Sequence, residues 1–294
     1  MPNDTVDRPR VGLALSGGTL KAAAHIGVIE ALAELGIRPH VVAGTSAGSL
    51  VAALYAHGYS PVQMKQLTKR FSLWSLVQYG FPVLSSAVTV MSRRLGWRYL
   101  SRLVPAAQGL LSAKRLERYV YKALQRRTAR IPYYIIATDL LSGNPVTFSN
   151  ESDAIVRGLA ERLTDPARTV AASCALPGVF SPVELGRYLL VDGAFRHYVP
   201  VKILQQMGCT RIIAVNLYQL DEDWQPDTLV HVLVRSFEIL LRESIDNDID
   251  SNNLVVLEPN VQNMTWFSVS QLNSCIEAGH ECVLESKAAI LNLL

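Results

Sequence analysis

The stretch Val41-Val42-Ala43-Gly44-Thr45-Ser46-Ala47-Gly48-Ser49-Leu50 decides how this chain is read. Three apolar residues end a buried strand, a sharp turn follows, and Leu50-Val51-Ala52-Ala53-Leu54-Tyr55 continue at helical spacing. Gly44-Thr45-Ser46-Ala47-Gly48 fits G-x-S-x-G, the elbow that lifts a serine hydroxyl into a cleft. The physics of the pattern is crowding. Side chains two residues to either side of Ser46 would collide across so tight a turn, which calls for glycine at positions 44 and 48. The helix that follows also offers unpaired N–H groups and a positive dipole end to any anion forming near Ser46 Oγ. Five such residues also occur by chance in ordinary tight turns, so the surroundings carry the weight.

Upstream, Val11 to Leu15 is a short apolar run that predicts the first buried strand, and Ser16-Gly17-Gly18-Thr19 breaks it. Leu20 to Leu35 carries a helical pattern that ends at Gly36, a C-cap residue. Together with the strand at Val41–Ala43 this makes a β-loop-α-β unit, the length of a right-handed parallel crossover. The glycine loop fits neither G-x-x-x-x-G-K-[ST] nor G-x-G-x-x-G, so a nucleotide cradle is not expected. Two adjacent parallel strands place their carboxyl-end loops side by side. The N–H groups of Gly17 and Gly18 are therefore expected to face Ser46, as an oxyanion hole requires.

The chain has 294 residues, 49% hydrophobic and 18% charged, which suits a globular domain with a sizeable core. Four scattered cysteines lack any C-x-x-C pairing, so no metal site and no disulfide framework are expected. Residues 1–10 hold no apolar run after a basic start, and the expected compartment is the cytoplasm. Further strands are expected at Tyr133–Ala137, Val146–Phe148, Arg187–Val191, Arg211–Asn216 and Leu254–Leu257. Helices are expected at Thr169–Cys174, His231–Ile245 and Gln271–Leu294. No repeat or linker divides the chain. It reads as one domain over 1–294, with a core at about 11–220, an insertion at about 71–130 and a helical region at about 228–294.

The insertion has its own texture. Phe71 to Ser92 carries no charge, yet Gly80 and Pro82 interrupt it too much for a spanning helix. From Arg93 to Arg130 basic residues face a single carboxylate, Glu117. One reading is a solvated helical face. The other is a cap in peripheral contact with an anionic membrane, at its inner face for a cytoplasmic protein. No nucleic-acid module accompanies the patch, and no nucleic-acid partner is expected.

A serine hydroxyl needs a base to take its proton. The histidines after Ser46 are His57, His197, His231 and His280, and none follows a strand end in a loop. Asp192 does: it stands where an apolar strand meets Gly193. Alone it is an ordinary turn aspartate; with the elbow and the glycine loop it points to a Ser46–Asp192 dyad. A Ser–Asp–His hydrolase remains the rival, although its elbow usually follows more than two strands.

At these residues the chain resembles the patatin-like phospholipases, in their bacterial group. The resemblance rests on Gly12 to Lys21, Ala24-His25-Ile26-Gly27-Val28, Gly44 to Gly48, Ala137-Thr138-Asp139, Ala171 to Phe180 and Val191-Asp192-Gly193-Ala194. It implies a three-layer α/β/α sandwich around a mainly parallel sheet. It implies hydrolysis of a phospholipid or other acyl-ester lipid through an acyl-enzyme, with no metal or cofactor. Ser46 matches the nucleophile and Asp192 its partner; Gly17, Gly18 and Thr19 match the oxyanion loop, and Lys21 its trailing basic residue. Two positions depart from the pattern. Thr19 stands where a third glycine is usual, and no asparagine lies between Gly193 and Pro200. The departures leave room for a non-catalytic lipid-binding or regulatory protein on the same scaffold.

Overall fold

The computed structural model describes residues 9–70, 109–219, 225, 229–249, 253–261 and 271–294. Among them, nine strands join in one sheet whose main path runs β11-β10-β1-β2-β4-β5-β6, with β6 (Glu161–Arg162) at its far edge. The parallel centre is β1 (Val11–Leu15), β2 (Val41–Thr45), β4 (Tyr133–Asp139), β10 (Arg211–Val215) and β11 (Leu254–Leu257). Every residue of β1, β2 and β4 is buried, which is why these strands read as unbroken apolar runs and not as alternating ones.

Alternate residues face opposite helical layers. Leu13, Leu15, Val42, Ile135 and Ile213 pack toward α1 (Ala24–Glu34), α2 (Ala47–Ala56), α3 (Pro61–Arg70) and their neighbours. Ala14, Val41, Ala43, Tyr134 and Ile212 pack toward α7 (Val201–Gln206) and α8 (Leu229–Asp248). The chain is thus an α/β/α sandwich. The expected helix over 20–35 divides in two: a 3-10 turn at Thr19–Ala23 leads into α1. Gly18, at φ 147°, swings the backbone, and the Lys21 N–H closes on the Gly18 carbonyl at 3.0 Å.

The end of the chain belongs to the same core. β11 extends the sheet beside β10, and α9 (Leu272–Glu285) lies against α1. Two glycines set how close these helices come. A methyl on Gly27 would meet the Ile276 carbonyl oxygen at 1.8 Å, and one on Gly279 the Ala24 carbonyl oxygen at 2.0 Å.

The strands that break the parallel order place the site. β5 (Pro145–Ser149) pairs antiparallel with one edge of β4, and Ala137 faces Val146 there. β9 (Tyr188–Asp192) also pairs antiparallel with β4, and Ala137 faces Asp192. A residue has two edges, so β9 lies on the edge that β2 occupies. β2 ends with Thr45 opposite Ile136, and β9 arrives from the other direction with Asp192 opposite Ala137. Two strand ends meet head to head along one edge.

Of the expected insertion, 71–108 lie outside the described residues. The rest holds β3 (Gly109–Leu111) and α4 (Ala113–Leu124), and then leads to β4. Helix α4 keeps Lys114, Arg118 and Lys122 exposed. Its Leu116, Val120 and Leu124 are buried in the main core, against a neighbour that includes α6 (Pro166–Ser173). This part of the basic stretch is a core helix with a solvated face.

Gly279→Ala is expected to lower stability by about 3 kcal/mol, because backbone cannot yield to a new methyl as a side chain can. Urea unfolding followed by circular dichroism checks it.

Candidate active site

Ser46 sits between β2 and α2 with φ 52° and ψ −130°, a conformation that L-residues avoid. The flanking glycines permit it. A methyl on Gly44 would meet the Gly48 carbonyl oxygen at 2.4 Å, and one on Gly48 the Ser16 carbonyl oxygen at the same distance. Hydrogen bonds then hold the strained residue from both ends. Its N–H donates to Ser173 Oγ at 2.9 Å, and its carbonyl accepts from Ser49 Oγ at 2.6 Å. Ser173 Oγ in turn donates to the Ile136 carbonyl at 2.5 Å, at the point on β4 where β2 and β9 meet.

Asp192 closes the arrangement. Ser46 Oγ donates to Asp192 Oδ2 at 2.7 Å, and the Ala194 N–H donates to Oδ1 at 2.9 Å. Both residues are buried, Ser46 8% and Asp192 2% exposed. Burial raises the Asp192 carboxyl to about 7, against the pull of its bonds from Ser46 and Ala194. Gly193 lets the chain turn directly over β4: a methyl there would lie 2.2 Å from the Ile136 carbonyl oxygen.

The glycine loop is fixed beside this pair. His25, fully buried, holds the Ser16 carbonyl through Nε2 at 2.9 Å, so this nitrogen carries the hydrogen. Burial lowers His25 to about 4 and keeps the ring neutral. Ser16 Oγ donates to the Gly17 carbonyl and accepts from the Leu217 N–H. The Gly17 N–H, expected to face Ser46, donates instead to the Tyr198 carbonyl at 3.2 Å. Gly17 serves by its bareness: a methyl there would press on the Tyr198 ring at 3.1 Å and on Ser46 Cβ at 3.4 Å. Thr19 adopts the glycine-like φ of 50° despite its branched side chain, and its Oγ1 donates to the Gly18 carbonyl at 2.7 Å.

Two cavities meet at the pair. One, of about 180 Å³, is walled by apolar side chains of α1 to α4. The other is smaller and holds Lys21, Tyr198, Tyr218 and Glu238. Thr19, Ser46, Leu176 and Asp192 line both. His197 and His280 line neither cavity, His57 is tied to the Ala53 carbonyl through Nδ1, and the His231 side chain lies outside the described residues.

The patatin-like phospholipase family model matches residues 13–204, which include the glycine loop, the elbow and Asp192. The chain belongs to the patatin-like phospholipase family. Among its relatives, an uncharacterised NTE-family protein of Mycobacterium bovis is 31% identical over 213 residues, covering 71% of this chain and 49% of that protein. Lysophospholipase NTE1 of Kluyveromyces lactis is 27% identical over 223 residues, covering 74% of this chain and 13% of that protein. The chain thus spans half or less of the length of these relatives. The structure of VipD from Legionella pneumophila aligns with a TM-score of 0.48 and 15% identity, over 94% of this chain and 66% of that one. Among the described residues, no helix is long and apolar enough to cross a membrane.

Sequence reasoning missed Ser173, His25 and Tyr198 as supports of this patatin-like site. Ser173 and His25 both lie within the quoted family motifs, but a serine in a short helix and a histidine on an apolar face carry no sign of their partners. Tyr198 acts through its backbone carbonyl, which any residue supplies.

Two measurements test the electrostatics and the support. Asp192 titrates near 7 when folded and near 3.8 in its ordinary state. Between those values the folded chain holds a proton that the unfolded chain has released, so stability falls as pH rises, by up to about 1.4 kcal/mol per pH unit. Asp192→Asn is therefore expected to raise the melting temperature at pH 8, with the gain shrinking toward pH 4. Ser173→Ala leaves the Ser46 N–H buried without its partner and is expected to cost about 1–3 kcal/mol in chemical unfolding.

Proposed function

We propose that the chain is a serine lipid acyl hydrolase that works through a Ser46–Asp192 dyad. The observation that carries this reading is the 2.7 Å bond from Ser46 Oγ to Asp192 Oδ2 at the junction of an apolar cavity and a smaller one that Lys21, Gln219 and Glu238 help to line. A carboxyl near 7 is matched to proton transfer at neutral pH, unlike an ordinary aspartate near 3.9.

Ser46 Oγ attacks the ester carbonyl, and its proton passes to the Asp192 carboxylate. Backbone N–H groups of Gly18 and Thr19 receive the oxyanion, since that of Gly17 is committed to Tyr198. The N-terminus of α2 adds its positive dipole end below. As the tetrahedral intermediate collapses, Asp192 returns the proton to the leaving alkoxide, which departs as the alcohol. Water then gives its proton to Asp192 and adds its hydroxide to the acyl carbonyl; as the acyl–Oγ bond breaks, Asp192 passes that proton to Ser46 Oγ, releasing a fatty acid and restoring both residues. The apolar cavity suits the acyl chain. The smaller one, with the Lys21 ammonium and the Glu238 carboxylate, suits a polar leaving group. Lipid esters, phospholipids among them, are the substrate class that joins these two chemistries. Lysophospholipase NTE1 bears its activity in its name, and the shared family supports the same class here.

A fluorophosphonate probe is expected to label the protein at one site and to leave Ser46→Ala unlabelled. Full labelling of that variant would assign the nucleophile elsewhere. Asp192→Asn is expected to lower turnover roughly 10²–10⁴-fold. In the native protein kcat/KM is expected to fall below pH 7 as Asp192 gains its proton; a profile flat to pH 5 would remove Asp192 as the base.

A further inference from the structure

We infer that helix α2 measures the acyl chain and that Leu54 sets the length at which measurement stops. The inference rests on the hydrolase reading above and names the chain length that the site selects. Ala47, Leu50, Val51 and Leu54 all line the large cavity. They fall at i, i+3, i+4 and i+7, one stripe of a helix that starts at the nucleophile. The cavity therefore leaves Ser46 along the axis of α2. Leu54 is its last contact on that helix, and Tyr55 and Ala56 take no part. Eight residues at 1.5 Å each place Leu54 about 12 Å from Ser46 along the axis. Ile26 of α1, Met64 of α3 and Leu116 of α4 wall the same space, each buried.

Volume and length agree. An apolar cavity of about 150 Å³ takes the six carbons of a benzene ring. One of about 180 Å³ takes roughly seven or eight carbons by the same measure. An ester carbonyl at Ser46 with a chain of about eight carbons fills the space along α2 to Leu54. Each carbon up to that length leaves water for apolar wall. Carbons beyond it find no further wall on α2. Leu54 is thus a specificity-determining residue, and Leu50, four residues nearer Ser46, marks a shorter length on the same helix.

The experiment is a series of p-nitrophenyl esters, from acetate to palmitate, hydrolysed by the native chain, Leu54→Ala and Leu50→Phe. In the native chain kcat/KM is expected to climb by up to about fourfold per methylene and to level off near eight carbons. Leu54→Ala opens the far end and is expected to move the break to longer chains. Leu50→Phe obstructs the path and is expected to move it to shorter ones. The two shifts have opposite sign, which a generally weakened fold does not imitate, and melting curves recorded alongside identify a variant that fails to fold. A native profile that rises without a break through palmitate overturns the inference. So does a break that stays put, or moves in one direction, in both variants. If the native chain cleaves none of the esters, the hydrolase reading itself falls, and the two failures are told apart.

Discussion

One edge of β4 carries two strand ends, and the rest of the site follows from that constraint. β2 stops at Thr45 and β9 stops at Asp192, opposite neighbouring residues of β4. Had β9 been parallel, its carboxyl end would lie farther along the sheet and its acid would miss the elbow. Head-to-head pairing instead fixes two side chains from distant parts of the chain at hydrogen-bond range. Backbone ladders do this with little freedom, because a slip of one residue would turn Asp192 to the opposite face of the sheet.

The same edge supports the strain that the site needs. A residue held at a sparsely populated backbone angle costs on the order of 1–3 kcal/mol. Ser46 and Thr19 both stand at positive φ. Ser173 ties the Ser46 N–H to the Ile136 carbonyl, and His25 with Ser16 ties down the glycine loop. Burial disfavours the charged form of Asp192, and the proposed role as a base rests on that same burial. Stability and chemistry therefore pull against each other at this residue, a balance common where a fold carries a buried reactive group.

The two helical layers divide the surroundings of the pair. The layer that holds α1 to α4 is apolar through to the cavity wall, and its helices approach through bare backbone at Gly27 and Gly279. The opposite layer brings α8, whose Glu238 and Leu241 reach the smaller cavity while Leu241 and Ile245 stay in the core. Within that layer Tyr218 donates to the Glu238 carbonyl at 2.6 Å. The Ser46–Asp192 pair thus faces two unlike environments.

The local signals were legible in the residues alone. Fully buried strands must be apolar runs, and a serine raised on a tight turn must have glycines at 44 and 48, so β1, β2, β4, β10 and the elbow could be read directly. Asp192 alone is an ordinary turn aspartate, and it could be singled out only beside the elbow and the glycine loop. What the sequence left open is what depends on distance between remote segments. The antiparallel entry of β9, the loss of the Gly17 N–H to Tyr198, and the pin from Ser173 join residues 55, 181 and 127 positions apart, and backbone partners leave no mark in side-chain identity. The basic stretch shows the same limit. Lys114, Arg118 and Lys122 dominate its composition, while Leu116, Val120 and Leu124 decide where α4 lies. Periodicity gives a helix and its apolar face; only packing decides what that face covers.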